Sequence, residues 1–391
     1  MHPEPHSALR RVAHGLLCAA LTCFTQAVSA QPAYPDADPS ARSRQPDPCN
    51  PRDRERVKMR DVLTDSEHVV GHKLLLENDM NSGGDFLSGE KSDRWYTSGI
   101  KLITMLKEDT RPTWFSNVLP DFACWWGARH DFQFGYVLGH MMYTPSNILD
   151  PYPQVNDRYW AAWAYVGTIV QFRDKNDART LQTYEFDIGL TGRPALGEPL
   201  QKTIHGIIGS PQPQGWDNQL KSELAANVTY LGMYKLGDAR RLPLSGNGLK
   251  WDATVHGGFA LGTVFNYINA GLTLRIGNSL AGTPIGTIEV PSLGGGDKWQ
   301  EGNWYLFARY DQRATAYNLF LDGSLFRADP HASTVKSKDT SYYIHSGITY
   351  ESSKKNRWTL SLNRRSREFN APASDRGIQN FTTLVWEHRF R

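Results

Sequence analysis

Two stretches of the sequence carry more polar residues than packing alone requires. In the first, Asn78 and Asp79 end a predicted strand, and Thr97 lies near the start of the next one. Carboxylate and amide oxygens at a strand end suit a hard cation such as calcium, which takes about six to eight oxygen ligands. For the Asn-Asp pair taken alone, an ordinary turn stabilised by these side chains is the simpler interpretation.

The second stretch, residues 197–209, interrupts a pattern of strands. Pro199 near its start and Gly209 at its end frame a short helix. Gln201 and His205 are four residues apart, so they share one face of this helix. An imidazole can take a proton from water near neutral pH, and the helix therefore presents a candidate general base. The alternative is a helix that plugs a barrel and carries a hydrogen-bonded histidine. The packing face is expected to comprise Leu200, Ile204, Ile207 and Ile208.

Strands must position both stretches, and the clearest one covers residues 181–191. Its apolar residues alternate with polar ones, which places the two sets on opposite faces of a strand. Several candidate strands run for ten residues or more, with Trp and Tyr near their ends. Strands of a soluble sandwich stay near five or six residues, so this pattern favours a membrane barrel.

Composition agrees with that interpretation and excludes two other classes. Lys and Arg number 43 and Asp and Glu 40, giving a net charge of +3 without the basic excess of a nucleic-acid-binding protein. A mean hydropathy of −0.51 does not fit a helical membrane protein, which needs apolar runs of about 20 residues. Aromatic residues make up 12% of the chain and glycine occurs 34 times, as a membrane β-barrel permits.

The chain divides into three predicted parts. Residues 1–30 have the basic, apolar and small-residue regions of a signal peptide, so we expect export and cleavage before Gln31. Residues 31–66 are rich in Pro, Asp, Arg and Ser and predict a disordered periplasmic extension. Residues 67–391 predict an all-β, transmembrane antiparallel barrel with a lumenal or rim active site. The sequence leaves open whether Cys49 and Cys124 pair.

We count about twelve strands in the barrel, with the short helix between strands 5 and 6. They are expected to begin near residues 68, 94, 131, 158, 179, 222, 246, 266, 302, 340, 357 and 379.

The chain also resembles the outer-membrane lipid A 3′-O-deacylase family. Gln201 and His205 stand in the spacing that this family shows. Further matching blocks occur in order along nearly all of the predicted barrel, at residues 77–79, 93–99, 143–145, 157–159, 192–198, 215–220, 316–323 and 364–369. Each block is modest, but the ordered set is specific.

This resemblance implies an outer-membrane enzyme that hydrolyses an acyl ester of lipid A, the lipid anchor of lipopolysaccharide, with calcium as cofactor. His205 would act as the general base on water, assisted by Gln201. Asn78 and Asp79 would hold calcium, and Asn78 would also shape the oxyanion site, with Thr97 beside it. Arg94 and Glu223 are expected to contact or orient the substrate. No protein partner is implied.

Two other functions are compatible with the same residues. One is a phospholipase-like acyl hydrolase that acts on another lipid of the outer leaflet. The other is a non-catalytic barrel that binds lipopolysaccharide, because a fold does not determine a function. The joint presence of a helix with His205 and a cation-ready strand end argues against this last function.

Overall fold

The structure is a computed structural model, and it describes twelve strands and the connections that carry the candidate site. The described residues are 56–57, 68–79, 95–108, 110–112, 130–174, 176–177, 179–242, 248–280, 289, 291–293, 299–327, 334–370 and 377–390. All of them belong to one compact unit, Pro48–Arg391. The predicted signal peptide, most of the predicted extension, Cys49, Cys124 and Arg94 lie outside the described residues.

Twelve antiparallel strands form a closed ring in which each strand pairs with its neighbours in sequence and the last pairs with the first. Their bounds are β1 Val69–Asn78, β2 Trp95–Leu106, β3 His130–Thr144, β4 Ala161–Asp174, β5 Thr180–Thr191, β6 Leu224–Lys235, β7 Lys250–Gly262, β8 Phe265–Gly277, β9 Trp304–Asn318, β10 Thr340–Glu351, β11 Asn356–Ser366 and β12 Ile378–Arg389. The predicted twelve-stranded barrel is therefore confirmed. The largest difference in strand start is at β7, expected near residue 246.

Three further pieces of strand contain two residues each. Arg56–Val57 pairs in parallel with Arg111–Pro112, and Arg240–Arg241 pairs with the start of β7. The first pair gives residues 56–57, within the predicted extension, a backbone partner beside the barrel strands.

The alternation seen in the sequence separates the two faces of the barrel wall. On β5, Phe186 and Ile188 are 42% and 49% exposed, whereas Glu185 and Asp187 are buried. A strand with its apolar residues outside and its polar residues inside is typical of a wall that faces lipid. The residues that share the parity of Phe186 therefore face outward, and those that share the parity of Glu185 face the lumen.

Ion pairs and an inserted connection fill the lumen. Arg357 makes a two-point hydrogen bond with Glu387, at 3.0 and 2.8 Å. Glu289, from the connection between β8 and β9, accepts hydrogen bonds from Arg313 at 2.7 Å and from Arg365 at 2.8 Å. Charges with so little exposure to water need partners of opposite sign, which these pairs supply.

Two helices lie at one end of the barrel. Helix α1 covers Gly197–Ile208 between β5 and β6, as predicted, and helix α2 covers Leu319–Asp322 after β9. Short 3-10 turns at Arg193–Ala195 and Trp216–Asn218 flank α1. Among the described residues, no helix has the length and apolar character that crossing a membrane would require.

We call this end the distal end, because β1 begins and β12 ends at the opposite one. The connection that carries α1 is the longest between any two barrel strands. Outer-membrane barrels place their longer loops outside the cell, so we assign the distal end to the extracellular side.

Candidate functional site

Polar side chains occupy the outward face of three adjacent strands at their distal ends. The outward parity of β3, set by Leu138 at 57% exposure, includes His140 and Thr144. On β1 and β2 the same face carries Asn78 and Ser98. An outward face at membrane level is normally apolar, so this polar patch requires a covering element or a function.

A local irregularity of β2 adds Thr97 to this patch. The pairing between β2 and β3 joins Tyr96 to Tyr143 and Ser98 to Met142, so Thr97 has no partner in the register. The hydroxyl of this bulged residue lies 2.8 Å from that of Thr144. Bulges are common next to functional sites because they redirect a side chain.

Asn78 and Asp79 meet Thr97 through its backbone. The Asn78 side-chain amide donates to the Thr97 carbonyl at 3.2 Å, and the Asp79 backbone N–H donates to it at 3.3 Å. Asp79 is 1% exposed. The structure thus brings together the three residues that the sequence predicted for the strand end.

Helix α1 covers the barrel wall with the face that carries Gln201 and His205. Gly197, Gln201 and His205, at four-residue intervals, are the buried residues of the helix. The expectation that the apolar residues form the packing face is wrong. Ile207 and Ile208 are 79% and 44% exposed, and Leu200 and Ile204 are partly exposed. The helix lies outside the barrel and directs these apolar side chains away from the wall.

Specific contacts hold α1 against β3 and β4. His140 Nε2 donates to the Ala195 carbonyl, in the turn before the helix, at 2.8 Å. Ala195, Trp216, Met142 and Ala162 belong to one buried apolar cluster, which also includes Trp160. The side chains of Met142 and Ala162 face outward from the wall, so this cluster is the junction between the barrel and the helix.

Gly197 sits at the tightest point of this junction. A Cβ atom built there would lie 2.5 Å from Trp216 Cη2 and 2.7 Å from the Cβ of Ala162. Real Cβ atoms do not approach other heavy atoms so closely. Glycine at this position therefore sets how near the helix comes to the wall.

The hydrogen bonds of His205 and Gln201 leave one side-chain nitrogen of each residue available to bind a water molecule or a ligand. His205 Nδ1–H donates to the Pro211 carbonyl at 2.6 Å, so Nε2 is the ring nitrogen with a lone pair. The Trp216 indole donates to Gln201 Oε1 at 2.7 Å, which fixes the orientation of the amide. Gln201 Nε2 is buried and has no hydrogen-bond partner within the described residues. A buried donor without a partner is costly and rare in native proteins, so this N–H indicates a bound water or ligand.

Glu223 lies on the other side of the barrel wall. It precedes β6 and shares the inward parity of Ala225, while Leu224 between them is 64% exposed. Its carboxylate accepts a hydrogen bond from Ser324. The structure therefore does not bring Glu223 together with the residues on the helix side, and Arg94 lies outside the described residues.

The sequence analysis missed His140, Ser98, Thr144 and Trp216. A signal for three of them was present, because each is a polar residue at an outward position of a strand whose other outward residues are apolar. Trp216 carried no such signal, since its role depends on the fold of the connection between α1 and β6.

The donor atoms at the strand end suit calcium in type. They comprise the Asp79 carboxylate, the Asn78 amide oxygen and the hydroxyls of Thr97 and Ser98, which are all oxygen ligands. The Ser98 hydroxyl is buried and has no hydrogen-bond partner within the described residues. Among the described residues, no group of three or more His, Cys, Asp or Glu side chains is suited to hold a metal. A calcium site here would therefore rely on one carboxylate and on neutral oxygens.

A closed twelve-stranded barrel with an apolar outer face defines an outer-membrane β-barrel protein, and its candidate site lies on the outside of the wall. The sequence profile described as "Outer membrane protein LpxR" matches residues 23–390. The chain belongs to this LpxR family of outer-membrane proteins, which supports a lipid A-modifying barrel. No curated protein matches the chain.

One solved structure supports the fold. LpxR from Salmonella typhimurium is 18% identical, with a TM-score of 0.62, over 82% of this chain and 100% of that one. The β domain of the Bordetella autotransporter BrkA is 9% identical, with a TM-score of 0.39, over 82% of this chain and 99% of that one. The transport unit of the autotransporter AIDA-I from Escherichia coli is 8% identical, with a TM-score of 0.34, over 84% and 91%. The TM-scores of the two autotransporter structures are too low to support a shared fold.

Proposed function

We propose that the protein is a calcium-dependent esterase that removes an ester-linked acyl chain, the 3′-O-linked acyloxyacyl group, from lipid A. One observation carries this proposal: α1 buries Gln201 and His205 against the outer wall of a membrane barrel, at the same end where β1 to β3 carry an outward polar patch. An acyl ester in the outer leaflet can reach such a site sideways from the membrane. Membership of the LpxR family supports lipid A as the substrate class.

His205 is the proposed general base. Its Nδ1–H is held by the Pro211 carbonyl, so Nε2 accepts a proton from water. The oxygen of that water attacks the acyl carbonyl carbon, and the protonated imidazole then returns the proton to the departing alkoxide as the ester C–O bond breaks. Gln201 Nε2–H is proposed to hold the attacking water. No serine or cysteine nucleophile is required.

Asn78, Asp79 and Thr97 are the residues proposed to hold calcium and to shape the oxyanion site, and Ser98 adds a further hydroxyl. When bound, calcium supplies positive charge that stabilises the negative oxygen formed on the acyl carbonyl. The buried Ser98 hydroxyl and the all-oxygen donor set support this choice of metal.

Mass spectrometry of lipid A after incubation with the detergent-purified protein tests the proposal. We expect loss of the acyloxyacyl group with calcium and no loss with excess EDTA. Glycerophospholipids tested in parallel would identify a phospholipase-like hydrolase if they alone were cleaved. Unchanged masses for every lipid would favour a barrel that binds lipopolysaccharide without catalysis.

A variant pair tests the role of His205. His205→Ala should lower the hydrolysis rate by about 10²- to 10⁴-fold, the usual contribution of a general base. His388→Ala removes a partly exposed imidazole at the other end of the barrel and should leave the rate unchanged. Both variants should keep the shift in electrophoretic mobility on heating that a folded barrel shows. Full activity in His205→Ala would remove this residue from the mechanism.

A further inference from the structure

A polar cleft of about 610 Å³ lies on the outer rim of the barrel, away from α1. Residues of β9 to β12 and their distal connections line it, among them Gln312, Lys338, Tyr342, Ser366 and Arg367. Tyr342 and Ser366 share the outward parity of Ile344 and Leu362, which are 37% and 41% exposed. The cleft therefore opens on the face that meets the membrane and not on the lumen.

The height of the cleft corresponds to the boundary between lipid tails and headgroups. Tyr310 and Tyr342 stack on the outer face, with ring centroids 6.4 Å apart, and the Tyr310 hydroxyl donates to Gln312 at 2.7 Å. Tyrosines at such positions mark the membrane interface of a barrel. Toward the centre of the wall most exposed residues of these strands are aliphatic, among them Leu306, Ile348 and Leu360, whereas at the cleft several are polar.

The cleft is basic. Lys338 lines it, and Arg364 lies on the same outward face of β11, two residues from Ser366. Within the part of the chain that the structure describes, neither Lys338 Nζ nor the Arg364 guanidinium has a hydrogen-bond or ion-pair partner. One exposed acid, Asp339, follows Lys338. A lipid-facing arginine is costly unless its charge reaches the headgroup layer and meets an anion there.

We infer that this cleft binds the phosphorylated sugar headgroup of a glycolipid of the outer leaflet, as a second lipid site distinct from the candidate active site. Cations at the headgroup level recognise phosphate, and hydroxyl and amide groups such as those of Ser366 and Gln312 recognise a sugar. β10 lies six strands from β4 in a ring of twelve, and α1 packs against the outer face of β4, so the cleft lies across the barrel from α1 and His205. The cleft is therefore separate from His205, and the inferred lipid is a second molecule that is not hydrolysed.

Lipid binding to the full-length protein, measured by native mass spectrometry in detergent with EDTA, tests the inference. The probe is bisphosphorylated lipid A. Lys338→Gln/Arg364→Gln should bind one lipid fewer than the wild type, with affinity for that lipid lowered about tenfold or more. The control Lys354→Gln/Lys355→Gln removes two exposed charges at the other end of the barrel and should bind as the wild type does.

Further arms identify the ligand and separate this site from catalysis. Dephosphorylated lipid A should bind the cleft weakly, and millimolar inorganic phosphate should not displace bisphosphorylated lipid A. Equal binding of the dephosphorylated lipid, displacement by inorganic phosphate, or unchanged binding in the double variant would each overturn the inference. Hydrolysis by the double variant should equal that of the wild type, and a parallel loss of hydrolysis would place both cations in the substrate site instead. Because bound lipids are counted without turnover, the result does not depend on whether the protein is an esterase.

Discussion

Replacing Gly197 by alanine should displace α1 without destabilising the barrel. The added Cβ would meet Trp216 at 2.5 Å and Ala162 at 2.7 Å, whereas carbon atoms pack at about 3.5 to 4.0 Å. The start of the helix must therefore move outward by about 1 Å to accept one methyl group. A displacement of about 1 Å in catalytic geometry costs roughly 10²-fold in rate. We expect a loss of that size for hydrolysis of lipid A.

Gly206→Ala is the matched control, because it makes the same change in the same helix. A Cβ at Gly206 meets no atom closer than 3.9 Å, so the helix need not move. The assay compares rates of acyl release from lipid A, with the heat-dependent mobility of each variant as a measure of folding. Gly197→Ala should fold normally and react slowly, while Gly206→Ala should match the wild type. Normal activity in Gly197→Ala would refute the dependence of catalysis on the spacing between helix and wall.

Three other changes test the metal site, the lumen and the membrane face. Asp79→Ala should raise the calcium concentration needed for half-maximal hydrolysis about tenfold or abolish hydrolysis, and an unchanged calcium response would remove Asp79 from the site. Lys101→Met leaves the buried carboxylate of Glu185 without its counter-charge, and it should lower the free energy of unfolding in denaturant by about 3 to 5 kcal/mol. The control Lys202→Met breaks an exposed pair and should lower it by about 0.5 kcal/mol or less. Leu138→Arg places a charge on the lipid face and should destabilise the folded barrel by about 2 to 4 kcal/mol, and stability equal to the wild type would contradict the orientation of β3.

The architecture could be predicted from sequence because a barrel strand repeats one rule over many residues. Alternation with period two and strands of ten or more residues gave the number of strands, and most strand starts lie within three residues of the observed ones. β7 was less well placed, because the connection before it contains no sharp change of pattern. The closing pair between β12 and β1 is a long-range contact that no local signal encodes, and it followed only from the choice of a barrel.

The helix that carries Gln201 and His205 was predicted in its position but not in its orientation. Gln201 and His205 share a helical face by spacing alone, and the structure has them buried on that face. The expected packing face was wrong because the helix buries Gly197, Gln201 and His205 against the wall, and periodicity alone does not show which face of a helix the wall covers. The bulge at Thr97 and the bond from His140 to Ala195 depend on strand register and on the tertiary position of a turn, which spacing does not encode.

The outward apolar side of α1 determines which substrate concentration sets the rate at which the protein meets its substrate. Ile207 and Ile208 are exposed while Gln201 and His205 are buried against the wall, so under the proposed function the substrate enters the site from within the leaflet. The relevant concentration is then the mole fraction of substrate in the surrounding micelle or bilayer, and not its amount per volume of solution. Adding inert detergent at constant bulk substrate should therefore slow turnover by surface dilution. In a cell, the rate would follow the lateral diffusion and crowding of the outer leaflet.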